Sequence, residues 1–331
     1  MKLSRFWPVL KVLLTISILI IIALFIITEL QRSNLQIADI AYRIHWPLIP
    51  LAVIVFCIYF FVISMGLWYL LNNGSMVKIS TIKNFGIFNI SGLTKYLPGK
   101  VWSYAILFYA LKEHGISVSK AVFDSLTHLI LTITTPFLLM MPVAVFLFLP
   151  QLSLTAQLAF LFFGVVFYIL CLFASPYLLK MLVACINYFK KKEPIVYIAL
   201  SRKNILITQV FILAGYLLYI LSISIIVYSI EQSFYWITIV QIAVICVFSA
   251  IIGFLVLIVP GGIGIQESLI FLLTNIHQAD PGFSLVLPII VRLVGVITDL
   301  IVGLASLWLI REVIVKVVFK KAGDRPLNVN M

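Results

Sequence analysis

The sequence predicts an all-α polytopic membrane protein of about six to eight membrane-spanning helices, with two re-entrant hairpins broken at proline and glycine. Three observations carry this prediction. Of the 331 residues, 63% are hydrophobic and 10% charged, and the mean hydropathy is +1.21, a composition outside the range of water-soluble folds. Apolar runs recur at lengths that span hydrocarbon. Two of the apolar regions are interrupted by Pro-Gly turns where lipid tails should lie. A backbone amide left exposed in hydrocarbon costs several kcal/mol, so each turn must be buried in protein or line a wet cavity.

Runs of roughly 20 residues, enough for about 30 Å of hydrocarbon at about 1.5 Å per residue, lie at 8–30, 48–71, 121–149, 154–179, 205–230, 237–259 and 285–310. The first comes after Lys2 and Arg5. It is too long for the apolar core of a secretory signal and has no Ala-x-Ala-like site behind it, so it reads as a retained helix. Between the second and third runs, Gly86, Gly92, Pro98 and Gly99 divide two short apolar pieces. These fit a re-entrant hairpin over about 84–113 with its elbow at Tyr96-Leu97-Pro98-Gly99-Lys100. An amphipathic helix lying flat at the interface is the alternative, since Tyr96, Trp102 and Tyr104 stand beside Lys95 and Lys100. In the third run, Pro136 and Pro142 predict a kink whose freed carbonyls are met by hydroxyls, with Thr132, Thr134 and Thr135 nearby. The second interruption is Val259-Pro260-Gly261-Gly262-Ile263-Gly264-Ile265-Gln266-Glu267-Ser268, the centre of a hairpin over about 243–276.

The formal charge of +12 does not point to nucleic acid, because the cations cluster beside helix ends rather than on a soluble face. With the N-terminus in the cytoplasm, Lys2, Arg5 and Lys11, then Lys78 and Lys83, Lys112 and Lys120, Lys180, Lys190, Lys191, Lys192, Arg202 and Lys203, and finally Arg311, Lys316, Lys320, Lys321 and Arg325 fall on one side. Arg32 and Arg43 fall on the outer side. Both termini are then cytoplasmic, which requires an even number of crossings, whereas the long runs are odd in number. Parity is repaired if the run before Pro260 and the short run 265–275 form a hairpin entering from outside, or if both cross completely. The first option gives a span, a Pro-Gly hairpin and a span, repeated upside down, the layout of many secondary transporters. The loops are short, and the whole of 1–331 reads as one transmembrane domain with no room for a separate catalytic one.

Cys57, Cys171, Cys185 and Cys246 show no CxxC spacing and read as small packing residues. Asp124 and His128, at i and i+4, could hydrogen-bond on one helical face, but no further ligands at coherent spacing suggest a metal. No cofactor is expected: Pro-Gly-Gly-Ile-Gly lacks the Lys-Ser/Thr of a phosphate loop and comes after an apolar helix rather than a strand.

The charges left inside apolar sequence are the candidate chemistry. Glu267 comes just after the glycine turn, and Arg292 and Asp299 lie seven residues apart on nearly one face of the last run. Isolated charges there cost about 2.5 to 3.5 kcal/mol on insertion scales, so Arg292 is expected near Glu267 or Asp299. Either the pair merely ties the last helix to the hairpin, or Arg292 and Lys100 attract an anionic headgroup while a carboxylate handles a coupling proton or cation.

The two motifs, Lys95-Tyr96-Leu97-Pro98-Gly99-Lys100-Val101-Trp102 and Pro260-Gly261-Gly262-Ile263-Gly264-Ile265-Gln266-Glu267, together with Gly115-Ile116-Ser117 and Arg292, resemble the flippase-like membrane domain of lysylphosphatidylglycerol synthases in its stand-alone form. The resemblance covers nearly the whole chain. It implies binding of a lipid headgroup and its movement between leaflets, with Pro98, Gly99, Lys100, Pro260, Gly261, Gly262, Gly264, Glu267 and Arg292 as the positions carried over. The family pattern commonly has an acidic residue after the Gly-Ile-Ser step, where this chain offers Asp124 and His128. The segment after the last span is too short for the aminoacyl-transferring domain of full synthases, so lipid aminoacylation is not expected of this chain alone.

The expected function is that of a non-enzymatic translocase of a phospholipid or polyprenyl-phosphate-linked sugar in a prokaryotic plasma membrane. Lys95, Lys100 and Arg292 would attract phosphate, Tyr96, Trp102 and the glycine-turn amides would complete the pocket, and Glu267 or Asp299 would change protonation. Two other classes stay open. A membrane-embedded transferase would use Glu267 or Asp124 as base, and an accessory subunit of envelope assembly would leave a large apolar helix face for a partner.

Overall fold

The computed structural model describes residues 44–93, 101–148, 152–189, 201–256, 260–276 and 281–311. Among the described residues the regular elements are helical: α1 (Leu48–Asn72), α2 (Thr81–Leu93), α3 (Val101–Glu113), α4 (Val118–Phe148), α5 (Leu154–Phe189), α6 (Arg202–Ile230), α7 (Trp236–Leu255), α8 (Ile265–Ile276) and α9 (Pro281–Leu309), with a 3-10 turn at Pro260–Gly262. Hydrocarbon offers no partner for a backbone N–H or C=O, so apolar segments close their hydrogen bonds internally. Five of these helices are long and apolar enough to cross a membrane: α1, α6, α7, α9 over Gly282–Leu309, and α4 over Val118–Leu138. The all-α polytopic class is therefore what the chain adopts. The helix expected over 8–30 lies outside the described residues.

At the centre, α1 and α6 run antiparallel. His45 N–H donates to Ser229 O at 2.7 Å, Ser222 Oγ to Ala52 O at 2.8 Å, and Asn73 Nδ2 to Asn204 Oδ1 at 2.6 Å, so numbering climbs on one helix as it falls on the other. Gly215 permits the close approach: a Cβ there would stand 2.6 Å from Ile63 Cγ1. Lipid tails are as apolar as leucine, so helices in a bilayer are held by packing and interhelical hydrogen bonds, and small residues mark the contact. Phe56, Tyr59, Phe60 and Tyr219 fill the space alongside with ring centroids 4.9–5.4 Å apart.

Charge is distributed unequally between the two ends of this bundle. The end that holds Asn73, Asn204 and the Ile79–Ile116–Ile310 cluster also carries Lys78, Lys83, Lys112, Lys120, Arg202, Lys203 and Arg311. At the other end, Phe234 meets Phe283 at 5.0 Å, and the nearby loop carries Glu231. This is the asymmetry that positive-inside sorting produces.

The chain is interrupted at two places. α2 and α3 have 13 residues each, about 20 Å of helix, and their outer ends lie together: a Cβ on Gly115 would meet Val77 at 3.4 Å, and Ile79, Ile87, Leu111 and Ile116 share one buried cluster. The loop leading into α2 is sewn to α1 by Asn72, whose side chain takes the N–H of Ile79 at 2.7 Å and gives to its carbonyl at 2.9 Å. At the second interruption, α7 has 20 residues and α8 has 12. The arms of that break are thus unequal, and the first is long enough to span alone.

α4 stays helical through Pro136 and Pro142. Proline at 136 removes the donor for the carbonyl of Thr132, and that carbonyl accepts instead from Tyr216 OH of α6 at 2.8 Å. A hydroxyl does meet the freed carbonyl, but it comes from a neighbouring helix rather than from the local threonines. Thr132 and Thr135 donate to the carbonyls four residues back, at 2.8 and 2.6 Å.

α5 stands at the periphery against α4. Its large apolar side chains, among them Phe162, Phe163, Phe167 and Tyr177, point outward, as suits a helix bathed in lipid.

Candidate functional site

Both interruptions dock on α9. Gly303 receives Leu93, the last described residue of α2, so closely that a Cβ at 303 would collide with its side chain. Eleven residues earlier, Arg292 Nη1 donates to the carbonyl of Gly261 at 3.2 Å. At about 1.5 Å per residue those two docking points are about 16 Å apart along one helix, with Asp299 between them. Pro281 opens α9 at the level of the Phe234–Phe283 contact, so the Pro-Gly turn meets α9 well inside the helix rather than at its end.

The turn is built from glycine for a reason at each step. Gly261, Gly262 and Gly264 have φ of 62°, 66° and 86°, where an L side chain costs about 1–2 kcal/mol. Gly262 also abuts α7: a Cβ there would come within 2.7 Å of Gly253 O. Gly264 N–H then donates to Glu267 Oε2 at 2.5 Å. Glu267 stands three residues into the α8 start, where a carboxylate reaches back to satisfy an orphan amide and meets the positive end of the helix dipole.

The other oxygen of Glu267 faces Arg292, with Nε–Oε1 at 3.4 Å and the side chains 15% and 23% exposed. The expectation that Arg292 pairs with Glu267 or Asp299 thus resolves in favour of Glu267 for the direct ion pair. Glu267 and Arg292 border, together with Ile289, Leu293, Val296 and Ile297, a shallow open cleft of about 400 Å³ whose exposed lining is apolar. Ile289, Leu293 and Ile297 are exposed on the outside of the bundle, so the cleft opens sideways, toward where lipid would lie.

Asp299 faces inward instead. It is buried and lies within electrostatic reach of the Tyr59 and Tyr219 hydroxyls. The Gln266 side chain of the second break lies within electrostatic reach of the Tyr219 hydroxyl, and Thr298 Oγ1 beside Asp299 is buried with no partner. A row of polar groups therefore continues inside the bundle from the glycine turn through Gln266 and Tyr219 to Asp299. Sequence reasoning missed Tyr59, Tyr219 and Gln266. The tyrosines sit in apolar runs where aromatics usually face lipid, and only Gln266, inside the second motif and next to Glu267, gave a readable signal.

Of the first motif, Lys95, Tyr96, Pro98, Gly99 and Lys100 lie outside the described residues. Trp102 belongs to α3, and Pro260 opens the 3-10 turn.

A second ion pair sits near the basic end. Lys120 Nζ meets Asp124 Oδ2 at 2.8 Å and donates to the carbonyls of Leu70 at 3.1 Å and Asn73 at 3.0 Å, which close the C-terminal end of α1. The Asp124–His128 hydrogen bond considered from their spacing is replaced by these contacts: His128 Nε2 donates to Ile63 O of α1 at 3.0 Å. Its ring lies edge-on to Phe88 of α2, centroids 5.5 Å apart. The reason is position: Asp124 looks back one turn to Lys120, and His128 faces a mid-helix carbonyl of α1. Among the described residues no group of three or more His, Cys, Asp or Glu gathers as a metal set would require.

The family model described as lysylphosphatidylglycerol synthase TM region matches residues 10–303, a stretch that takes in both breaks, the Lys120–Asp124 pair and Arg292. No curated protein and no solved structure matches the chain.

Proposed function

Since the chain belongs to the lysylphosphatidylglycerol synthase TM-region family, we propose that it binds the phosphate of an anionic lipid or polyprenyl-phosphate-linked sugar and moves it between leaflets without altering it chemically. The observation that supports this most is the pairing of a partly exposed Arg292 with a laterally open apolar cleft. A cation at the foot of a greasy groove suits a molecule with a phosphate and a chain. The guanidinium can offer two parallel donors to phosphate, and the chain can lie between Ile289, Leu293 and Ile297.

In this reading the short helices α2, α3 and α8 are the arms of re-entrant segments, with the basic end facing the cytoplasm of a prokaryotic plasma membrane. Lys95 and Lys100, just beyond Leu93 in sequence, add attraction for the headgroup on the approach from that side. Gln266, Tyr219 and Asp299 provide the polar wall along which a headgroup is handed past Arg292. The substrate's phosphate competes with Glu267 for Arg292, so binding loosens the tie between α8 and α9 and favours exposure to the opposite side.

Reconstitution into vesicles containing fluorescent anionic phospholipids or polyprenyl phosphates tests this, with a membrane-impermeant quencher reading leaflet exchange. Exchange faster than in protein-free vesicles, and lost in Arg292→Gln, is the expected result. No exchange across the whole panel would contradict it.

A further inference from the structure

Of the carboxylates in this membrane domain, Glu267 has both oxygens engaged, one by Gly264 N–H and one by Arg292. Asp124 does not. It is fully buried, six residues inside a membrane-crossing helix, with Oδ2 in ion-pair contact with Lys120 and neither oxygen receiving a hydrogen bond. We propose that Asp124 is a proton-binding site, and that proton uptake there drives the translocation step inferred above, on which this second part rests.

The surroundings fit a site that accepts one proton and keeps its shape. Lys120 Nζ donates to Leu70 O and Asn73 O and stands 2.8 Å from Asp124 Oδ2 as an ion pair. When Oδ1 takes a proton from water at the basic end, Asp124 becomes a neutral acid, and Lys120 stays charged on two carbonyls at the negative end of the α1 dipole. The cation therefore has a place to remain: the pair within α4 is neutralised, and Lys120, no longer held against Asp124 by opposite charge, carries the α4–α1 junction by its two carbonyl bonds alone. That junction carries the loop leading into α2.

A buried seam continues from Asp124 along the same face of α4. His128, Thr132 and Thr135 stand at successive intervals of a helical turn, and Ser125 Oγ, Thr208 Oγ1 and Gln209 Oε1 beside it are buried without partners. Gln209 Nε2 donates to Thr135 Oγ1 at 2.5 Å and contacts Tyr168 OH. Facing this seam, α1 presents the carbonyls of Ile63, Leu70 and Asn73, α2 the ring of Phe88, α5 Tyr168, and α6 Thr208, Gln209 and Tyr216. α3 meets α4 through the apolar cluster of Leu107, Leu111 and Ala121, and α7 through that of Leu131 and Val247, where Cys246 also lies. Lys120 is thus the charged partner of Asp124 among the described residues, and His128 the next titratable group inward. Membrane acids and histidines in such rows are the usual carriers of protons in transporters.

The test is an infrared titration of the full chain reconstituted in liposomes, reading the carboxylic-acid C=O band against pH. We expect a pH-dependent band that disappears in Asp124→Asn and persists in Asp299→Asn. Lys120→Met, which removes the counter-charge, is expected to raise the protonated fraction at any given pH. A band unchanged in Asp124→Asn, or a protonated fraction indifferent to Lys120→Met, would overturn the site. In the same vesicles, an imposed pH gradient should accelerate exchange of a fluorescent anionic phospholipid in the wild-type protein and not in Asp124→Asn. An equal response in both would overturn the coupling. If the wild-type protein exchanges no lipid at all, the translocase reading falls, and the proton site is decided by the infrared titration alone.

Discussion

The two interruptions of this membrane domain solve one problem in opposite ways. The first, α2 and α3 with the loops on either side, is fastened from below: Asn72 holds the backbone of Ile79, and a buried Lys120–Asp124 pair closes the end of α1 from which the segment departs. The second is fastened at its tip: Gly262 abuts Gly253, Glu267 caps α8, and Arg292 grips both Glu267 and Gly261. One ion pair is sealed and leaves a carboxylate oxygen unmatched. The other is partly exposed and borders a lateral apolar cleft. Similar chemistry at different burial yields a place for a proton in one case and for an anion in the other.

This contrast can be broken most severely at the sealed pair. Lys120→Met strands a fully buried carboxylate, and a cost of about 3–5 kcal/mol is expected, read as a lower unfolding midpoint in detergent. Next comes Gly262→Ala, which combines a positive φ with a clash against backbone. It is expected to cost about 3 kcal/mol and to broaden or split the unfolding transition. At the open pair the effects appear in binding rather than folding. Arg292→Gln is expected to weaken anionic-lipid binding by about tenfold, which is about 1.4 kcal/mol, whereas Glu267→Gln frees the guanidinium and leaves binding as tight or tighter. Weaker binding in both variants would mean that Glu267 itself contacts the ligand. The smallest effect belongs to Gly92→Ala on α2. With nothing within 4 Å of the new Cβ, helix propensity predicts a gain of up to about 1 kcal/mol, so a loss would show that α2 is not helical in the membrane.

Much of this was legible in the sequence. Apolar run lengths located α1, α4, α6, α7 and α9 because hydrocarbon leaves a chain few choices. The glycines of the second break and the Glu267–Arg292 partnership were readable because positive-φ turns and intramembrane charges are costly, so their presence demands a structural reason. Lys120 was not readable as anything more than one of many interfacial lysines. Its role depends on the carbonyls of Leu70 and Asn73, and backbone acceptors leave no mark in a sequence. Tyr59 and Tyr219 were hidden for a related reason, since a tyrosine facing Asp299 and one facing lipid look alike in an apolar run. The unequal arms of the second break were legible in the run lengths 237–259 and 265–275, whereas how deep each sits was not, because an apolar run fixes length but not depth.

The central claim of the proposed function is that the cleft beside Arg292 on α9 admits water and a headgroup from the middle of the membrane. In a chain with its native cysteines replaced, Val296→Cys lines the cleft beside Arg292, whereas Leu304→Cys lies on the outer face of the same helix. Labelling both with a charged, membrane-impermeant thiol reagent tests the claim most directly. The account predicts that position 296 is labelled, and protected by added anionic lipid, while position 304 is not. Labelling at 304 with none at 296 would contradict it.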